Sequence, residues 1–403
     1  MQLPVANHAT DRLVGMAKIM RLAFNGDDLS SITSSLAKRI ASNSDDSAAL
    51  MDLSVVLQLT GRPALAIELQ SEALQLNQVF ELDSNPSNPT LRLLVIMGPG
   101  EVMANTPIEF LLEESDVSIT FLFLGEGLPI PPEIPEHDVA FVAVCESDQS
   151  QFLLAQLDQI MRVWPKPFVN SPARIAQLSR NRVSERLASV KGIVASCACR
   201  LSRSQTRNLK LQGLGFPVIA RPVNSHAGHG LCKLDDSDQV AEYLDNHASD
   251  EFFVAPFIDY RSRDGQFRKY RIAVIDGQSF AAHMAISHHW MVHYLNADML
   301  NNAKNRNTEA EFMSNYNQEF GERHRRSLAE LDRRMGLDYY SIDCAETLDG
   351  ELLVFEIDSG AVVHAMDSVE LFPYKAPQMA SVFAAFQKML RTRVRSGLKR
   401  QAA

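Results

Sequence analysis

The 403-residue chain has little to cross-link it and little to anchor it. Its five cysteines, Cys145, Cys197, Cys199, Cys232 and Cys344, are odd in number and widely scattered. They exclude a disulfide framework and fit a reducing, cytoplasmic setting. Cys197 and Cys199 could share a metal, but no second pair of suitable spacing exists, so they read as incidental thiols. No apolar run reaches the length that spans a bilayer, and the opening residues lack the pattern of a signal peptide. Excess positive charge is missing too. The formal net charge is −10, which argues against wholesale nucleic-acid binding. The dinucleotide fingerprint is incomplete, since residues 98–100 supply only Gly-Pro-Gly. So is a helical zinc motif: His289 and His293 have the i, i+4 spacing, but no Glu follows His289. What remains, at 46% hydrophobic and 22% charged, is the composition of an ordinary globular chain, long enough for two or three domains.

The strongest local signal lies at residues 341–358, SIDCAETLDGELLVFEID. Asp349-Gly350 predicts a two-residue primed turn, for which Gly supplies the positive φ. That turn places Asp343 opposite Glu356 and Ser341 opposite Asp358. Side chains alternate along a strand, so Asp343, Glu356 and Asp358 share one face. Ile342, Cys344, Leu353, Phe355 and Ile357 then turn toward a core. Neighbouring carboxylates repel each other unless a cation lies among them. Hard oxygen donors suit Mg²⁺, which also takes substrate phosphates. An exposed acidic face on an edge hairpin is the alternative.

Residues 1–85 read as helical, with helices expected near 27–41, 47–59 and 63–76. Leu50, Leu53, Leu57, Gly61, Ala66, Ala73 and Leu76 follow the spacing of one tetratricopeptide-like repeat. A plain helical hairpin packed on its neighbour is the other reading. Either way the segment is expected to serve assembly, as an interaction or homo-oligomer module, and not chemistry. Residues 81–90 read as a linker. From 91 to 170, apolar strands near 91–97, 117–124 and 138–145 alternate with helix-like stretches, which predicts a small parallel α/β domain. A larger domain runs from 171 to 392, and residues 393–403 form a short basic tail. Within the larger domain, residues 216–234 read as strand, glycine-containing loop, strand. The first strand delivers Arg221. The loop carries Ser225, Gly228 and Gly230 and can aim N–H groups at phosphate oxygens; a plain hairpin is the alternative. Further strands are expected near 251–260 and 270–276. His283, His288, His289 and His293 follow, and a loop near an anionic site accounts for them better than zinc does.

Taken in order, these pieces resemble the ATP-grasp superfamily, and within it the glutathione-synthetase and RimK-type carboxylate–amine ligases. The motifs are the α/β stretch, FPVIARP with its glycine loop, FVAPFI, YRIAVIDG, and the acidic hairpin ending in FEID, over roughly residues 91–390. The resemblance implies an α/β (α+β) architecture: an N-terminal helical segment, an α/β pre-grasp domain, then a two-lobed ATP-grasp domain. It implies that Arg182 and Arg221 stand at phosphate-binding lysine positions. Ser225, His226, Gly228 and Gly230 would close over the phosphates. Ala255, Pro256 and Phe257 would form the hinge that reads adenine, with Pro256 where an acidic residue is common. Arg271 would steady the transferring phosphoryl group, with Arg221 as its catalytic companion. Asp343, Glu356 and Asp358 would hold two Mg²⁺ ions, or Mn²⁺ in their place, Asp358 replacing the more usual Asn. His293 stands where Asn is common, and His364 and Asp367, just after the metal strand, would face substrate.

The implied activity is an ATP-dependent, ADP-forming ligase. It would join a small carboxylic acid, amino acid or peptide to an amine through an acyl phosphate, with no protein nucleophile. Its partners would be those small molecules, not nucleic acid or membrane. Loss of Asp343 or Glu356 is expected to abolish turnover with the fold intact. The Arg in place of Lys and the hinge proline also motivate a competing expectation: an ATP-binding scaffold or adaptor that recruits partners through its N-terminal helices. Truncation near Ser84 would show whether those helices serve assembly alone.

Overall fold

The computed structural model describes residues 12–131, 133–225, 228–293 and 296–401, with side chains through residue 397. Three sheets carry it. The first has six strands in the spatial order Arg12–Leu13, Val79–Leu82, Val117–Phe123, Leu91–Met97, Val139–Val142, Phe168–Val169. All neighbours are parallel except Val79–Leu82 against Val117–Phe123. Residues Leu93, Leu94, Val95 and Ile96 are at most 1% exposed, which explains why they read as one unbroken apolar run: layers cover both faces.

Those layers overturn part of the expected organisation. The helices Ser47–Leu59 and Pro63–Leu76 place Leu50, Met51, Ala73 and Leu74 in the same core as the sheet. The expected linker begins inside a strand, because Val79–Leu82 pairs with both Arg12–Leu13 and Val117–Phe123. The helices Ser47–Leu59 and Pro63–Leu76 and the strand Val79–Leu82 are therefore built into this domain. Residues expected to be helical after Gly100 form two short 3₁₀ turns, Val102–Ala104 and Ile108–Leu112. The expected basic tail continues the helix Lys375–Gln401. Its Arg393 pairs with Asp276 and Asp338 at 2.7 and 2.6 Å, which gives these basic residues a reason to stay helical.

The second sheet is antiparallel, in the order Cys232–Leu234, Val218–Pro222, Glu251–Pro256, Cys199–Ser202. It has a core of its own around Val218, Leu234, Leu244 and Phe252. The third has five strands: Gln278–Ser287, Phe267–Ile275, Tyr339–Glu346, Leu352–Asp358 and Ile193–Ala195. The last pair is parallel and the others antiparallel.

The acidic hairpin reaches its expected register by an unexpected route. The turn holds three residues, not two. Thr347 N–H donates to the Glu351 carbonyl at 3.0 Å, and Gly350 adopts φ 79°. Pairing is then one residue out, with Cys344 opposite Val354, until an irregularity next to Asp343 restores Asp343–Glu356 and Ser341–Asp358. The shift changes two facings. Ile342, Cys344 and Ile357 enter the main core, but Leu353 and Phe355 pack with Tyr260 in a separate cluster.

Candidate active site

A cavity of about 700 Å³ is lined by residues of the second and third sheets together with the segment after Asp358. Its charged centre is built on the strand Phe267–Ile275. Lys269 and Arg271 are two residues apart and share a face. Arg271 lies directly across from Asp343 on the neighbouring strand. Its Nε and Nη2 donate to Asp343 Oδ1 and Oδ2 at 2.8 and 2.9 Å, while Lys269 Nζ reaches Oδ2 at 2.7 Å. Burial alone would raise the Asp343 carboxyl. The charges of Arg271 and Lys269 outweigh it and hold the group well below the usual carboxylate range.

The other two acids have different surroundings. Glu356 pairs with Arg180, the first residue of the helix Arg180–Leu187, whose guanidinium also lies 5.8 Å from the Phe253 ring centre. Burial pushes the Glu356 carboxyl up, but Arg180 and Arg221 bring it below its ordinary value. Asp358 accepts a hydrogen bond from Gly360 N–H at 2.7 Å. Burial and the charge of Glu356 raise it to about 6.

Arg221 sits on the strand Val218–Pro222 and folds back on the glycine loop, donating to Ser225 Oγ at 3.0 Å and to the Ser225 carbonyl. Burial and nearby Arg180 lower its guanidinium to about 10. Gly230 is a geometric necessity of this loop: its φ is 66°, and a Cβ would lie 2.7 Å from Pro222. Across the strand pairing, Ala255 faces Ile219, and Phe257 N–H donates to the Pro217 carbonyl at 2.9 Å. Lys233 Nζ lies 4.9 Å from the Phe257 ring centre.

Histidines and a buried ion cluster complete the wall. His293 is lowered by burial and by Lys269, and His364 is lowered to about 4 by burial. Lys375, 4% exposed, meets Asp367 at 3.0 Å and Glu309 at 3.4 Å.

Of the residues expected from sequence, Arg221, Gly228, Ala255, Pro256, Phe257, Arg271, His293, Asp343, Glu356, Asp358, His364 and Asp367 line this one cavity. Ser225 and Gly230 support it from the loop behind. Arg182 does not reach it. That side chain is exposed and donates to the Ala176 carbonyl at 2.6 Å. Arg180, two helical positions earlier, is the residue turned to the cavity. His226 lies outside the described residues. Sequence reasoning missed Arg180, Lys269, Lys375, Met20 and Phe24. Only Lys269 carried a usable signal, its two-residue spacing from Arg271.

The three acids expected to hold metal differ in their surroundings. Among the described residues, no group of three or more His, Cys, Asp or Glu side chains is arranged to hold an ion. Asp343 has both oxygens engaged by Arg271 and Lys269. Glu356 and Asp358 remain as a half-buried like-charged pair; burial raises the Asp358 carboxyl, and the charge of Glu356, which a cation would offset, raises it further. Two carboxylates completed by phosphate oxygens and water are a sufficient donor set for Mg²⁺. The pair fits one divalent ion, while Asp343 lines the same cavity but is engaged by Arg271 and Lys269.

In kind, this is a cleft between two sheets that gathers cationic and acidic side chains on one wall. Comparison with protein-family models finds no match, and comparison with curated proteins finds none either. Solved structures do resemble the chain. A D-alanine–D-alanine ligase from Bacillus anthracis is 16% identical, with a TM-score of 0.48 over 77% of this chain and 100% of that one. The D-alanine–D-alanine ligase from Coxiella burnetii is 11% identical, TM-score 0.48, over 77% and 98%. A RimK domain ATP-grasp protein from Sphaerobacter thermophilus is 15% identical, TM-score 0.43, over 73% and 98%.

Proposed function

We propose that the chain is an ATP-dependent carboxylate–amine ligase, ADP-forming, acting through an acyl phosphate. One observation carries this reading. Arg180, Arg221, Lys269 and Arg271 converge with Glu356 and Asp358 in a single cavity whose adjoining wall, Ile219, Ala255, Phe257, Leu353 and Phe355, is apolar. With Lys375, Asp343 and Asp367 counted, five cationic side chains face four carboxylates in this cavity, an excess that favours a polyanion. The apolar wall beside them suits a flat heteroaromatic base, with hinge backbone groups to orient it.

In the reaction a substrate carboxylate takes the γ-phosphoryl group of ATP and ADP departs. An amine then replaces phosphate at the acyl carbon and gives up a proton. The protein's part is to position and to neutralise. Arg180 and Arg221 would hold phosphate oxygens. Arg271, kept in place by its two-pronged pairing with Asp343, would hold the carboxylate and the acyl phosphate formed from it. Lys269 adds a second positive charge at the same point. Glu356 and Asp358 would hold Mg²⁺, which supplies electrostatic stabilisation of the phosphates. Among the described residues no cysteine lines the cavity, and Cys145 and Cys344 are buried, which raises both well above the ordinary thiol value. All five cysteines are free, which suits a reducing cytoplasm, and no helix among the described residues is long and apolar enough to cross a membrane.

The test is ADP and phosphate release by the purified chain with ATP, Mg²⁺ and a broad panel of acids and amines. Release should need acid and amine together, or proceed slowly with acid alone, and hydroxylamine should trap a hydroxamate. Nucleotide binding without turnover on any pair would replace the ligase with a scaffold.

A further inference from the structure

The helix Met16–Phe24 belongs to the stretch that the sequence assigns to assembly, yet it forms part of the cavity wall. Met20 and Phe24 lie one helical turn apart on one face and line the cavity with Met103, Val362 and Met366. Phe24 is 40% exposed, and its ring meets His364 edge-on at 5.6 Å.

This helix is held at both ends. Asp52 accepts from Val14 and Gly15 N–H at 2.7 and 3.2 Å, and Glu109 accepts from Met16 and Ala17 N–H at 3.1 and 2.9 Å. The donors that a helix start leaves unpaired are thereby satisfied by two side chains from other elements. Gly15 has φ 95°, and a Cβ there would lie 2.7 Å from Glu109, so the junction is tightly specified. Near the other end, Arg21 donates to the Ala365 carbonyl at 3.3 Å and pairs with Glu113 at 2.6 Å. Met20 and Phe24 are thus fixed relative to residues 361–367. Arg271 touches the same segment, donating from Nη1 to the Val362 carbonyl at 3.2 Å. A carboxylate held at Arg271 would extend its remainder along a wall of methionine, valine and phenylalanine.

We propose that this N-terminal wall selects the acid substrate, favouring a carboxylic acid that carries a sizeable aliphatic or aromatic group. Thioethers from three different elements give the wall an adaptable shape, so it accepts a range of such groups. The inference rests on the ligase reading, and the experiment separates the two. The full-length protein is assayed with ATP, Mg²⁺, one productive amine, and acetate, hexanoate, 3-phenylpropanoate or succinate. KM for hexanoate and 3-phenylpropanoate should lie about ten-fold or more below that for acetate and succinate. The same acids, with a non-hydrolysable ATP analogue, should raise the unfolding temperature in the same order. Phe24→Ala and Met20→Ala should erase the advantage through KM while leaving nucleotide affinity unchanged, and Met20→Leu should retain it. Because Phe24 is partly exposed, its removal should leave unfolding without ligand at the wild-type temperature. Acid-dependent turnover with the same size preference in both alanine variants, or a preference for succinate, overturns this inference alone. Neither turnover nor stabilisation with any acid overturns the ligase reading and this inference with it.

Discussion

Replacing Asp343 by alanine removes the acceptor shared by Arg271 and Lys269 and leaves two cations in a central strand pair without their counter-charge. Asp343 is 6% exposed, and the side chains of Lys269 and Arg271 are 18% and 21% exposed, so water replaces its charge only in part. Breaking a buried ion pair from one side costs about 3–5 kcal/mol. That is a large share of the roughly 5–15 kcal/mol by which folded domains are stable, and it corresponds to a fall of roughly 10 °C in unfolding temperature. Glu356→Ala works in the opposite sense. Its side chain is 35% exposed; it pairs with Arg180, and nearby Arg221 lowers its carboxyl as well. Removing it also relieves the repulsion that raises Asp358. Its net effect on stability should be small, about 1 kcal/mol or less, while turnover is lost. Thermal and urea unfolding followed by circular dichroism, run beside the ADP-release assay, would separate the two variants. The sequence alone led to the expectation that both substitutions spare the fold. If Asp343→Ala unfolds within a degree of wild type, Asp343 is not the structural counter-charge argued here, and its return to the metal site must be considered.

Arg180→Ala should weaken nucleotide binding by about ten-fold or more, the loss of one charge-assisted contact. Arg182→Ala should leave it within about two-fold, and calorimetric titration with ATP distinguishes them. Burial raises Asp52 to about 6 against an unfolded value near 4, so the folded state binds the extra proton. Stability from this group is therefore complete below about pH 4 and is lost as pH rises through about 6, by roughly 3 kcal/mol. Asp52→Asn should flatten the stability profile across that window, and an unchanged slope in urea denaturation would refute the assignment. Deleting residues 1–84 should give an insoluble or unfolded product, because it strips Val79–Leu82 from the sheet and Leu50, Met51 and Leu74 from the core; a soluble, cooperatively unfolding fragment would contradict the packing. Gly360→Ala should destabilise by about 1–3 kcal/mol, since its Cβ would collide with Cys145 Sγ, and Cys145→Ala should recover most of that loss.

The parts that sequence disclosed and the parts it hid differ in the range of the forces that set them. Strands such as Leu91–Met97 were legible because burial on both faces writes itself into seven consecutive residues. The pairing of Asp343 with Glu356 was also legible, though for an incomplete reason. A longer turn and a compensating irregularity cancel, so the right partners emerged while Leu353 and Phe355 were assigned to the wrong face. Arg182 was chosen over Arg180 because a motif fixes a neighbourhood, whereas the facing of an eight-residue helix depends on what it packs against. The counter-charges of Asp343 were hidden for a related reason: acids close together suggest a cation, but not whether that cation is a metal or an arginine and a lysine from the next strand. The place of Met16–Phe24 was least legible of all. It is set by Asp52 and Glu109, which lie 37–38 and 92–93 residues beyond the N–H groups they accept from. Those acids gain their grip only when three elements are packed together, and the same contacts set a hydrophobic wall beside the charged centre. Chemistry that depends on cross-strand neighbours is written locally in this chain. Selectivity at the same cavity depends on long-range docking, and that is why a segment without a catalytic motif carries the proposed choice of substrate.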